Sequence, residues 1–125
     1  CGVPSFYCGC EACQEALAYS RYRRTRCAIA LTGEDNILVD APPELSAQLS
    51  REGIEEVGYF ALTHWHYDHS GGLGDLEFYV RLHRKSALPA VMSQETWMQL
   101  QASLGSTIDC LDVMVLDLVS YGFGI

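Results

Sequence analysis

Seven residues, Thr63-His64-Trp65-His66-Tyr67-Asp68-His69, constrain this chain more than any other stretch. Three of its four histidines fall here, within six positions and with a carboxylate among them. The run before them, Val57-Gly58-Tyr59-Phe60-Ala61-Leu62, is apolar and β-prone, so it reads as a buried strand. The run after them, Ser70-Gly71-Gly72-Leu73-Gly74, reads as a flexible turn leading into an apolar stretch. Any fold that accommodates the segment ends a strand at a loop that bends several polar side chains toward one point.

Imidazole nitrogen and carboxylate oxygen are good ligands for Zn²⁺, Mn²⁺ or Fe. In an extended segment, side chains two apart share a face, so His64 and His66 are placed to hold one ion. A turn at Tyr67 lets Asp68 and His69 face a second. Two ions roughly 3.5–4 Å apart bridge a water, lower its pKa and hold both oxygens of a displacement. The competing reading is a set of satisfied surface histidines. The carboxylate, a second residue type with its own ligand capacity, disfavours it.

The rest of the chain frames this motif. Cys1 to Cys13 is a loop rich in Gly, Pro and Cys, and good helix formers predict a short helix over 11–19. Strands are expected over 27–31 and 37–40, joined by a hairpin turn at 32–36. Pro42 and Pro43 open a helix over 44–51, which Gly53 ends. A short strand follows Pro89 over 90–92. Ser93 is placed to cap a helix reaching about Leu104, and 111–119 is strand-like. No internal repeat, low-complexity segment or interdomain linker is visible.

Asp40 ends an apolar strand just before the Pro-Pro turn. There it either accepts a hydrogen bond from a metal-bound imidazole and fixes its tautomer, or initiates a turn and caps a helix. Arg21, Arg23, Arg24 and Arg26 form a basic cluster in an otherwise acidic chain. They are either a phosphate contact, for which guanidinium forks are suited, or a solvated turn. Arg26, leading a strand, fits a structural role better.

Cys8, Cys10 and Cys13 place three thiols within six residues. They read as zinc ligands, as free thiols or as part of a disulfide set. The histidine motif points to an intracellular metalloenzyme, where disulfides are rare, and this favours a Cys₃His-type zinc site with its fourth ligand from elsewhere. Cys1, Cys27 and Cys110 read as small buried residues. His83, the one histidine outside the motif, fits poorly as the fourth ligand.

His-x-His-x-Asp-His after an apolar strand, followed by Ser-Gly-Gly-Leu, resembles the metallo-β-lactamase-fold hydrolases. The resemblance implies an α/β fold, an αββα sandwich with two divalent ions, Zn or Mn. It assigns His64 and His66 to one ion and Asp68 and His69 to the other. It makes Asp68 catalytic, as a ligand that orients a metal-bridging hydroxide, and it supports Asp40 as the residue behind a ligating histidine. Gly2-Val3-Pro4, Cys8-x-Cys10-x-x-Cys13 and Tyr22-Arg23-Arg24-Thr25-Arg26 resemble the PhnP-type phosphoribosyl cyclic phosphodiesterase branch. In that branch the three cysteines and a C-terminal histidine hold a structural zinc. The likeness is close over 1–78 and general over 79–125. The family's second half supplies a further His, a bridging Asp and a final His, and no histidine follows His83. Residues 1–125 therefore read as the N-terminal half of one such domain, an incomplete sandwich inactive by itself.

Composition narrows the function. A net charge of −8 disfavours a long nucleic acid, since each phosphate neutralised needs a cation. No apolar run approaches the ~20 residues of a membrane span, and no signal-peptide pattern is present. The expectation is a cytoplasmic metal-dependent phosphodiesterase of a small cyclic phosphodiester, for which a homodimer is admissible. The alternatives are a tRNA 3′-processing-type ribonuclease, a thioester or lactone hydrolase of the same fold, and a non-catalytic zinc-stapled module.

Overall fold

Five short runs of aliphatic and aromatic residues pair into one sheet in the computed structural model, which describes residues 2–116. They are β1 (Ile29–Leu31), β2 (Ile37–Val39), β3 (Tyr59–Ala61), β4 (Leu88–Ser93) and β5 (Leu111–Leu116). The order across the sheet is the order in the chain. The β1–β2 hairpin is antiparallel, with Ala30 opposite Leu38. β2, β3, β4 and β5 are parallel neighbours, with Leu38 opposite Phe60 and Phe60 opposite Ala90. Parallel neighbours need crossovers, and α2 (Leu45–Glu52), α4 (Leu73–Tyr79) and α5 (Gln94–Leu104) lie in them. α1 (Glu11–Ala18) precedes the sheet.

The period-2 alternation of each strand sends Leu38, Phe60, Leu88, Ala90, Met92 and Leu111 to one buried face. Helix residues Leu45, Leu73, Leu76 and Leu100 close the core against them. The other face is apolar too, yet exposed: Ile29, Leu31, Ile37, Tyr59 and Met114 stand out from it. Parallel sheets ordinarily cover both faces.

Several expected boundaries hold to within a residue or two. α1 spans 11–18 within the expected 11–19, and α2 ends at Gly53, whose φ of 66° is the left-handed geometry that glycine adopts without strain. Ser93 caps α5, its Oγ accepting from the Thr96 amide at 3.2 Å. β1 begins at Ile29 rather than 27. The strand expected over 111–119 is seen over 111–116, and 117–119 lie outside the described residues. Cys110 is buried as expected, but Cys27 is exposed, because it leads the edge strand rather than the core. Cys1 lies outside the described residues.

The largest difference follows the histidines. Residues 70–74 are not a flexible turn. α3 (Tyr67–Ser70) and α4 form a nearly continuous helical stretch joined at Gly71-Gly72. Ser70 Oγ lies within hydrogen-bond distance of the Trp65 and His66 carbonyls (2.7 and 2.9 Å). Gly72 donates to the Ala41 carbonyl (2.7 Å), and a β-carbon there would overlap the Pro42 carbonyl oxygen. The glycines serve close packing against the 40–43 segment.

Candidate metal centre

β2 and β3 stop side by side, and the segments that leave them are knitted together. Asp40, just after β2, turns into the left-handed region (φ 65°), which Asp tolerates better than most side chains. Its amide donates to the Ala61 carbonyl at 2.8 Å, and the Ala41 amide donates to the His69 carbonyl at 2.7 Å. These bonds hold α3 against the strand ends. The His69 and Ser70 amides both donate to the His66 carbonyl, which starts the helix and folds Asp68 and His69 back over His64.

The result is a compact donor set. One ligand atom from each of His64, Asp68 and His69 lies within 4.8 Å of the others. His69 Nε2 is 3.5 Å from Asp68 Oδ2, and the His64 and His69 rings are 4.0 Å apart. His66 stands beside this group, exposed, its ring edge-on to His64 at 4.8 Å. The grouping differs from that of an extended segment, which pairs His64 with His66. α3 begins only at Tyr67, and its bonds to the His66 carbonyl reverse the chain so that Asp68 and His69 face back toward His64.

Asp40 is buried behind this set and does not cap a helix; Glu44 precedes α2. Asp40 Oδ1 accepts from the Thr63 amide (2.8 Å), and Oδ2 lies 2.8 Å from His69 Nδ1. Thr63 Oγ1 is 2.9 Å from both carboxylate oxygens and 3.0 Å from His64 Nδ1. A hydroxyl has one proton to give. Given to the carboxylate, it leaves Oγ1 to accept from His64 Nδ1–H. Both histidines are then held as the tautomer with a free Nε2 lone pair, His69 directly and His64 through Thr63. Sequence reasoning missed Thr63. Its signal was a hydroxyl placed directly between a core strand and the first histidine.

Cys8, Cys10 and Cys13 form the second donor set, their sulfurs within 4.8 Å of one another. α1 starts immediately after Cys10, and its first turn carries the buried Cys13 inward. The Cys13 backbone and the neighbouring thiols hold the Cys10 thiol below its ordinary pKa. The Ser5 amide, 3.3 Å from Cys13 Sγ, pulls the Cys13 pKa down, but burial and the two neighbouring thiols outweigh it and push Cys13 up. Three thiolates this close repel one another, and a cation removes that conflict; soft sulfur donors select Zn²⁺. His83 belongs to neither donor set. It stacks on Tyr79, with ring centroids 6.3 Å apart.

The arginines are mostly engaged locally. Arg26 Nη1 pairs with Glu44 at 2.5 Å, Arg23 Nε donates to the Ala16 carbonyl, and the Arg21 guanidinium lies 4.8 Å from the Tyr22 ring centroid.

Fold and site together define a protein of the metallo-β-lactamase fold. The chain belongs to the family described as anti-Pycsar protein Apyc1, whose signature matches residues 14–119. Among solved structures it is similar to a diphosphatase from the PhnP family (TM-score 0.78, 25% identity), covering 93% of this chain and 46% of that one. The Zn²⁺-bound PqqB from Methylobacterium extorquens shares the fold (TM-score 0.69, 20% identity, 93% of this chain and 45% of that one). So does YhfI from Bacillus subtilis (TM-score 0.60, 19% identity, 75% and 40%). A Porphyromonas gingivalis protein named octanoyltransferase is 35% identical over 89 residues, which are 71% of this chain and 18% of that protein. The chain thus spans about half of the similar structures and under a fifth of this relative.

Proposed function

We propose that the complete protein is a metal-dependent hydrolase of a small phosphodiester, with a cyclic ribose phosphate as the best-fitting substrate. One observation carries the reading: His64, Asp68 and His69 converge within 4.8 Å while buried Asp40 braces both histidines from behind. A braced imidazole–carboxylate set supports reading these side chains as metal ligands rather than surface decoration. His66 completes it by a rotation of its exposed side chain, and further ligands come from the second half of the domain. This chain is then the first half of one sandwich, the second sheet covering the exposed apolar face of the first. When bound, divalent zinc or manganese supplies a Lewis acid and a water nucleophile at neutral pH. Asp68 orients that water, while Asp40 and Thr63 keep the histidine lone pairs aimed inward. Cys8, Cys10 and Cys13 hold a structural zinc.

The preference for phosphorus draws support from the likeness to a diphosphatase of the PhnP family. The acidic balance disfavours a long nucleic acid and hence the ribonuclease alternative. Thiols in three free cysteines near one point fit a reducing compartment such as the cytoplasm. The test is a panel assay of the complete, metal-loaded protein on a cyclic ribose phosphate, bis(p-nitrophenyl) phosphate, a thioester and a lactam. Turnover of the phosphodiesters alone is the expected result. Efficient cleavage of the thioester or lactam with the phosphodiesters untouched overturns the assignment.

A further inference from the structure

The end of the sheet opposite the histidines carries a feature that hydrolysis does not use. α2 and α4 part there over the starting ends of β2 and β3, leaving a groove of about 1240 Å³. Its lining is mixed, with apolar side chains set among acids and serines. Leu49 and Ile54 line one side, and Phe78 and Leu82 rise on the other, 65% and 62% exposed. Phe78 and Leu82 are four residues apart on one helical stretch, so they share a face. What sets this pair apart from other exposed apolar residues is that it stands beside a groove that Leu49 and Ile54 also line, which makes a contiguous apolar strip.

The rim says what. Glu34, Asp35, Glu55, Glu56 and Asp75 all line the groove and are all exposed. Its one guanidinium, Arg84, is drawn inward, with Nη1 donating to the Val57 carbonyl at 3.1 Å. A second copy of this chain would bring the same acidic rim against this one, on a molecule already at −8. An anionic lipid surface meets the same repulsion.

We propose that this groove docks a basic amphipathic helix of another polypeptide. Its apolar stripe, at i and i+4 spacing, would lie between Phe78–Leu82 and Leu49–Ile54, with lysines or arginines over Glu55, Glu56 and Asp75. Helix-in-groove recognition takes its affinity from such apolar anchors, and the charged rim sets orientation and association rate. None of the residues lining the groove belongs to either donor set, so the proposal is independent of the hydrolytic reading.

The experiment is fluorescence anisotropy of a labelled amphipathic Leu/Lys peptide of about five helical turns, titrated with the complete protein. Saturable binding is expected, weakened at least about tenfold by Phe78→Ser combined with Leu82→Ser. Glu55→Gln with Glu56→Gln should flatten its salt dependence. All four side chains are exposed, and circular dichroism confirms that the variants fold. Amide hydrogen exchange on the unmutated protein should show peptide-induced protection over 45–57 and 75–86. Equal binding of a scrambled Leu/Lys peptide with no apolar stripe overturns the proposal. So does unchanged affinity of the Phe78/Leu82 variant, protection elsewhere, or a groove already filled by a second copy or by the rest of the protein.

Discussion

Asp40 does more for the centre than its distance from the histidines in sequence suggests. It is buried, it accepts from the Thr63 amide, and it fixes His69 directly and His64 through the Thr63 hydroxyl. In the complete protein, Asp40→Asn should lower active-site metal affinity by about 10–100-fold, the usual cost of removing such a partner. Competition with a chromogenic chelator measures it, and unchanged affinity contradicts the brace. Asp68→Asn acts differently. On the proposed role of Asp68 as a metal ligand, the change should keep the fold and lower turnover by about two orders of magnitude or more; steady-state rates on a phosphodiester, with circular dichroism for the fold, check it. The histidine set was legible as residues, because three imidazoles and a carboxylate after an apolar run have few other uses. The hand-over through Thr63 was not legible, since a threonine at a strand end reads equally well as a simple β-former.

At the scale of elements, sequence pattern located what local chemistry dictates. Ser93 capped its helix and Gly53 ended another because each supplies a bond or a dihedral that the helix terminus needs. α3 was missed because Tyr-Asp-His-Ser-Gly-Gly carries no run of helix formers. It is helical through bonds to a distant segment, Ala41 N to His69 O and Gly72 N to Ala41 O, and those partners are invisible locally. The cysteine loop was legible from spacing, since two and three residues apart at a helix start can bring sulfurs together. If it holds zinc, Cys10→Ser in the complete protein should lose about one equivalent of zinc and some folding stability. Elemental analysis beside a thermal melt reads both. Unchanged zinc stoichiometry refutes the site.

At the largest scale, the informative feature among the described residues is a sheet with α2, α4 and α5 on one face and exposed apolar side chains on the other. Ile29, Leu31, Tyr59 and Met114 project from that face, and similar structures are about twice as long as this chain. Composition could not show this, because an apolar strand residue reads the same whether covered by a helix or by a second sheet. The central claim is that the histidine motif carries metal-dependent phosphodiester hydrolysis. The most direct measurement strips the complete protein with a chelator and follows hydrolysis of a cyclic ribose phosphate as zinc or manganese is added back. The account predicts no turnover without metal and saturable recovery on titration, with Asp68→Asn failing to recover under the same conditions. Full turnover by the stripped protein, or none by a fully loaded one, contradicts it.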